Sequence, residues 1–330
     1  EDKSFDSIKN SLGKEFFDGL ILDLKLDGSG PNKLNFRAPT LAQDIRTLSA
    51  AEGNVKAFPI ILCSTEQKMH ATYDVDKSSH DLFDYKFLKG VKPNWEKLSK
   101  KLYSLAAGYE WLNSAKPSFG KVLNREQFDN LDPRMLEKFD NSDEDVQVFD
   151  YTSFVIKDLF HHPEPLIKEK TLAARLGIDL ESSGGSWERL LEEVFSEAKY
   201  KGLFADGWER WWSDLVETVF FKLSEGVHLS TLDARQRVEI IINHTGIEGL
   251  AVAQPLPYCY STHFWVICEG HKKPLDPLEG FQVYESVDLK AWQNPKYISF
   301  DAAANRIGRE KGLRPLHSEE DRIQLMKSSL

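Results

Sequence analysis

The chain is poor in cysteine: Cys63, Cys259 and Cys268 are the only three in 330 residues. An odd, sparse set of thiols argues against a disulfide framework and for a reducing compartment, so the cytoplasm is the expected location. Long apolar runs are missing as well, and without a stretch of about 18 hydrophobic residues no membrane-spanning helix is expected. The first residues, EDKSFDSIKN, lack the apolar segment that directs export. Basic residues are in deficit, 42 Lys and Arg against 52 Asp and Glu, and the formal net charge of -10 disfavours nucleic acid and anionic membranes as partners. No glycine-rich phosphate loop, HExxH or GxSxG motif occurs.

What is present is an ordinary globular composition, 41% apolar and 28% charged. The length allows two or three domains, each with its own core. Phe5, Ile8, Leu12, Phe16 and Phe17 recur at helical spacing, which predicts a helix over 3–17. Leu20 to Leu24 then reads as a short strand too apolar to have a wet face, as in a parallel sheet covered on both sides. A loop over 27–39 leads to a helix from Leu41 with Thr40 as its cap. Ile60 to Cys63 and Tyr85 to Leu88 read as further strands, and 94–112 as a long amphipathic helix. Residues 66–82 read as a weak helix or loop. Strand and helix alternate, which predicts a parallel α/β unit over 1–114.

The three strands end in an acid, a hydroxyl and an amine: Asp23 in LILDLKLDG, Ser64 in PIILCST and Lys89 in DYKFLKG. Reactive groups of open parallel sheets gather at the carboxyl ends of the strands. These stretches resemble the response-regulator receiver-domain family, of an atypical kind similar to receivers found in bacterial defence-associated two-component operons. The resemblance implies a flavodoxin-like sheet, Asp23 as phosphoacceptor and metal ligand, Ser64 as hydroxyl switch, Lys89 as charge partner, and Mg²⁺ as cofactor. It also implies a sensor histidine kinase or phosphotransfer protein as partner, with a homo-oligomer as a further expectation.

Several features depart from that family. Its receivers begin with a strand ending in paired acids, whereas only 20 residues separate Asp2 of Glu1-Asp2 from Asp23. Either a preceding piece supplies that strand or the domain is degenerate. Gly90 stands where a proline typically follows the lysine, and Lys86, flanked by Tyr85 and Phe87, leaves the aromatic switch position open.

Beyond Lys116-Pro117-Ser118 a helical region is expected over 117–246, followed by a small α+β unit over 247–330. Trp208, Trp211 and Trp212 stand at i, i+3, i+4, which predicts one face of a helix capped by Asp206, buried in the core or serving as a partner-binding hot spot. Ser186 is the expected cap of the helix before it. GLAVAQ, STHFWVICEG and GFQVYES read as strands, FDAAANRIGRE as a helix, and the tail HSEEDRIQLMKSSL as polar and mobile. Cys259, His263, Cys268 and His271 have the composition of a zinc site but not its spacing.

Three readings follow. The first is a phosphorylated signalling protein with an output region of unknown activity. The second is a degenerate receiver serving as a docking module. The third is a receiver-gated enzyme whose site gathers His263, Asp276 and Cys259 or Cys268.

Overall fold

The computed structural model describes residues 11, 17–24, 36–51, 55–65, 79–90, 93–140, 146–286 and 288–329. The expected helix over 3–17 lies almost wholly outside the described residues, as do Glu1-Asp2, most of the loop after Asp23 and the weak element at 66–78. Two compact units form. Unit 1 comprises 1–126, 139–156 and 201–208, and unit 2 comprises 127–138, 157–200 and 209–330.

Unit 1 is built on three parallel strands in the order β1-β2-β3: β1 (Leu20–Asp23), β2 (Ile60–Ser64) and β3 (Tyr85–Leu88). The register aligns Leu20 with Ile60, Leu22 with Leu62 and Leu62 with Lys86. Side chains of neighbouring strands at the same register share a face. One face carries Leu20, Leu22, Ile60 and Leu62, which pack with Leu41, Ala42 and Ile45 of helix α1 (Ala38–Ala51) in one core. Helix α1 begins three residues before the predicted Leu41, because Ala38 is already buried in that core. Helix α2 (Trp95–Ala115) starts where expected: Asn94 Oδ1 accepts a bond from the Lys97 N–H at 3.0 Å. That cap satisfies one of the four orphan donors of the first turn.

At the amino ends of β2 and β3 sits a buried polar network that sequence reasoning did not find. Asp84 Oδ2 accepts from Arg46 Nη2 at 2.7 Å and from the Ile60 N–H at 2.7 Å. Its Oδ1 accepts from the Tyr109 hydroxyl at 2.6 Å, which also meets Thr152 Oγ1 at 3.0 Å. Burial pushes the Tyr109 phenol well above its ordinary pKa, so it remains a donor. The Arg46 guanidinium also stacks over the Phe149 ring at 4.2 Å.

Unit 2 surrounds helix α3 (Glu169–Leu176), whose residues Thr171 to Leu176 are all buried. Around it lie helices α4 (Gly185–Glu193), α5 (Ser213–Leu223) and α6 (Ala234–Thr245). Three two-stranded antiparallel ribbons complete it: β4 (Leu166–Ile167) with β5 (Trp211–Trp212), β6 (Val266–Ile267) with β7 (Pro274–Leu275), and β8 (Phe281–Gln282) with β9 (Tyr297–Ile298). The short helix α7 (Phe300–Ala304) follows.

Several expectations need correction here. Trp211 and Trp212 lie on strand β5 rather than on a helix with Trp208, because pairing with Leu166–Ile167 extends the backbone until α5 begins at Ser213. Trp208, Trp211 and Trp212 are nonetheless buried, as core residues should be. Asp206 caps no helix among the described residues, and α4 is preceded by Gly184, leaving the Ser186 hydroxyl to donate to the Glu248 carbonyl at 2.8 Å. GLAVAQ contributes only an isolated bridge, Val252 to Ile178. The polar tail is ordered as helix α8 (Glu320–Ser328), anchored by buried Ile323.

Gly177 ends α3 with φ +74°, and a Cβ there would lie 2.5 Å from the Ala234 Cα. A Gly177→Ala change therefore meets both left-handed strain and a backbone clash, and should lower unit 2 stability by more than the ~1 kcal/mol of a simple glycine propensity effect. A thermal melt with an unchanged midpoint would contradict this packing. No helix among the described residues is long and apolar enough to cross a membrane.

Candidate functional site at the carboxyl edge of the sheet

Asp23 is the last residue of β1, and Lys89 follows β3 directly. The Lys89 N–H donates to the Ser64 carbonyl at 2.8 Å, which ties the exit of β3 to the end of β2. Its side chain then reaches back across β2, and Lys89 Nζ donates to Asp23 Oδ2 at 2.7 Å. Both partners keep contact with solvent, with side-chain exposures of 44% and 33%. At that exposure an ion pair contributes about 1 kcal/mol or less to folding, so stability alone does not account for its placement. The second carboxylate oxygen, Asp23 Oδ1, is closed off from solvent and has no hydrogen-bond partner among the described residues.

The acid and the amine therefore meet, and the hydroxyl does not join them. Ser64 is fully buried, and its Oγ makes no hydrogen bond among the described residues. The register explains this: Asp23 lies opposite Cys63, so strand alternation sends Ser64 to the other face. A buried hydroxyl without a partner costs about 1–3 kcal/mol, a debt that a nearby acceptor would relieve.

Cys63 is the neighbour that the sequence reading missed. Burial pushes its thiol up, while Lys89 pulls it down and Asp23 raises it further, so both charges reach it. The offset was latent in the apolar runs, since pairing Leu20 with Ile60 places the acid of LILD beside the fourth residue of IILCS. On β3, Tyr85 meets Trp208 edge to face, with ring centroids 5.9 Å apart, and its ring lies 4.8 Å from Lys101 Nζ. It is a packed side chain rather than a free rotor.

The described residues offer a divalent cation one carboxylate at this edge, Asp23, whose Oδ1 has no hydrogen-bond partner among them. That suffices at the lower limit for Mg²⁺, which is commonly held by one or two carboxylates with water and phosphate completing its shell. No group of three or more His, Cys, Asp or Glu suited to a metal occurs among the described residues.

The C-terminal residues singled out by composition have other partners. Asp276 Oδ2 accepts from the Ser261 hydroxyl at 2.5 Å, and the Cys268 thiol lies 3.5 Å from the Ser299 hydroxyl. His271 Nε2 meets Asp301 Oδ2 at 2.8 Å. Burial pushes the Cys259 thiol up to about 11, which makes it a poor nucleophile. The His263 imidazole bonds none of these groups, so no Cys-His-Asp constellation forms among them. Compared with known protein families, with curated proteins and with solved structures, the chain matches none.

Proposed function

We propose that unit 1 is a receiver-like, flavodoxin-type module of a two-component signalling protein, in which Asp23 accepts a phosphoryl group and the C-terminal region carries the output. The observation that supports this reading is the contact of Lys89 Nζ with Asp23 Oδ2 at the carboxyl edge of three parallel strands. A carboxylate oxygen of Asp23 forms the new bond to phosphorus. The bond from phosphorus to the donor's leaving atom, an imidazole nitrogen of a phosphohistidine or the acyl oxygen of acetyl phosphate, breaks, and the leaving group departs with its electron pair. The Lys89 ammonium offsets the negative charge that gathers on the phosphoryl oxygens. Mg²⁺, held by Asp23, would supply further neutralisation of that charge when bound. Ser64 takes part only if its loop moves, and the unsatisfied state of its hydroxyl favours such a move toward a new acceptor. A sensor histidine kinase or phosphotransfer protein is the donor this reading calls for.

A second reading is favoured by the enclosure of Ser64 and by the single described carboxylate at the edge: an unphosphorylated module that docks a protein partner. Intact-mass measurement of the full chain after treatment with acetyl phosphate and Mg²⁺ separates the two. The expected result is one added phosphoryl group, absent from Asp23→Asn, with acetate as the leaving group. A wild-type chain left unmodified, and with an unperturbed NMR spectrum in beryllofluoride and Mg²⁺, would overturn the first reading and leave the second.

A further inference from the structure

Unit 2 contains a cleft of 520 Å³ that no step of the proposed phosphotransfer uses. One wall is α5, whose residues Ser213, Glu217 and Phe221 recur every fourth position and so share a face. Two of its lining residues, Glu164 and Ser213, are held in a polar clamp. Arg175, almost fully buried, donates from Nη1 to Ser213 Oγ at 2.7 Å and from Nη2 to Glu164 Oε1. Glu164 itself holds φ +71°, a conformation that side-chain-bearing residues rarely adopt and that tends to collect at ligand sites.

One turn along α5 from that clamp, the Glu217 carboxylate accepts no hydrogen bond and forms no ion pair among the described residues. Burial pushes its pKa up, with Arg175 and His228 opposing, and Glu164 and Asp214 adding to, the rise. The other acids of the lining are differently placed. Glu164 is neutralised by Arg175, Asp132 is bound by Arg134 Nη2 at 2.6 Å, and Asp214 has an interaction of its own. Trp292 also lines the cleft, and its indole N–H is closed off from solvent and has no acceptor among the described residues. Phe221 adds an aromatic face, its ring 4.8 Å from that of His228.

We infer that this cleft binds a small organic monocation, an ammonium or guanidinium compound that also carries an acceptor oxygen. The cation pairs with Glu217 beside the Phe221 and Trp292 rings, and the oxygen accepts from Trp292 Nε1. Such an occupant supplies the two bonding partners that the cleft lacks, and aromatic faces add cation–π attraction. The size suits a ligand of about a dozen heavy atoms, well within the range of small-molecule pockets.

Saturation-transfer NMR on the full chain with matched probes tests this: glucosamine against glucose and glucuronate, and benzylamine against benzyl alcohol and benzoate. Each amine should bind at least tenfold more tightly than its neutral and anionic counterparts. Glu217→Gln should erase that preference without lowering the melting temperature at pH 7, because it removes a carboxylate whose ionised form the fold disfavours. Trp292→Phe removes the N–H while keeping an aromatic ring at that position, so it should weaken glucosamine more than benzylamine. Equal or absent binding of amines and their isosteres, or an amine preference that survives in Glu217→Gln, would overturn the assignment.

Discussion

Asp84→Ala is expected to lower the stability of unit 1 by about 3–5 kcal/mol, the range for removing one partner of a buried ion pair. The carboxylate serves three donors at once: the Arg46 guanidinium, the Ile60 N–H and the Tyr109 hydroxyl. Arg46 and Asp84 side chains are 7% and 1% exposed, so water has little access to replace the lost acceptor. What remains is a buried cation without its counter-ion, which costs more than the contact itself was worth. Since whole domains are stable by only about 5–15 kcal/mol, this one change removes a large share of the total. Asp84→Asn keeps an acceptor and should lose less. Urea denaturation followed by circular dichroism measures both, and a loss below about 1 kcal/mol for Asp84→Ala would mean that the network contributes little.

The second large effect concerns rate rather than stability. Under the proposed function, Lys89→Met should slow phosphoryl uptake from acetyl phosphate by about a hundredfold, the usual consequence of removing one charge-stabilising group from a transition state. The same change should leave the melting temperature almost untouched, because the Lys89–Asp23 pair is open to water and screened. A merely structural ion pair would give the reverse pattern. Time-resolved mass spectrometry alongside thermal melts distinguishes them, and an unchanged uptake rate would remove Lys89 from the reaction.

Much of unit 1 was legible in the chain. LILD and IILCS are largely apolar runs and YKFL is a short aromatic one interrupted by Lys86, and each folds as a strand within a residue of the predicted limits. The amphipathic spacing over 94–112 announced α2, and the Asn94 cap, which acts on the Lys97 N–H three residues on, fixes where it starts. The Arg46–Asp84–Tyr109 network was invisible for the opposite reason. Its members stand 38 and 25 positions apart, and nothing local marks an acid before a strand as buried rather than solvated. GWERWW misled through a coincidence of spacing: i, i+3, i+4 is helical, yet Trp211 and Trp212 satisfy their backbone against Leu166 and Ile167. The alcohol of the candidate site failed on register, which depends on which residues of two strands lie side by side. The unit 2 cleft draws Asn130, Glu164, Glu217 and Trp292 from far-separated segments, beyond the reach of any motif.

Lys89 is fastened at two points, by its main chain to the last carbonyl of β2 and by its side chain to the end of β1. It behaves as a cross-stitch over all three strand ends, followed at once by Gly90 in a left-handed turn. Any species that draws the ammonium away from Asp23 loosens one of those two stitches. Under the proposed function, this corner would carry a change of charge at the end of β1 to the Lys89-Gly90 turn after β3.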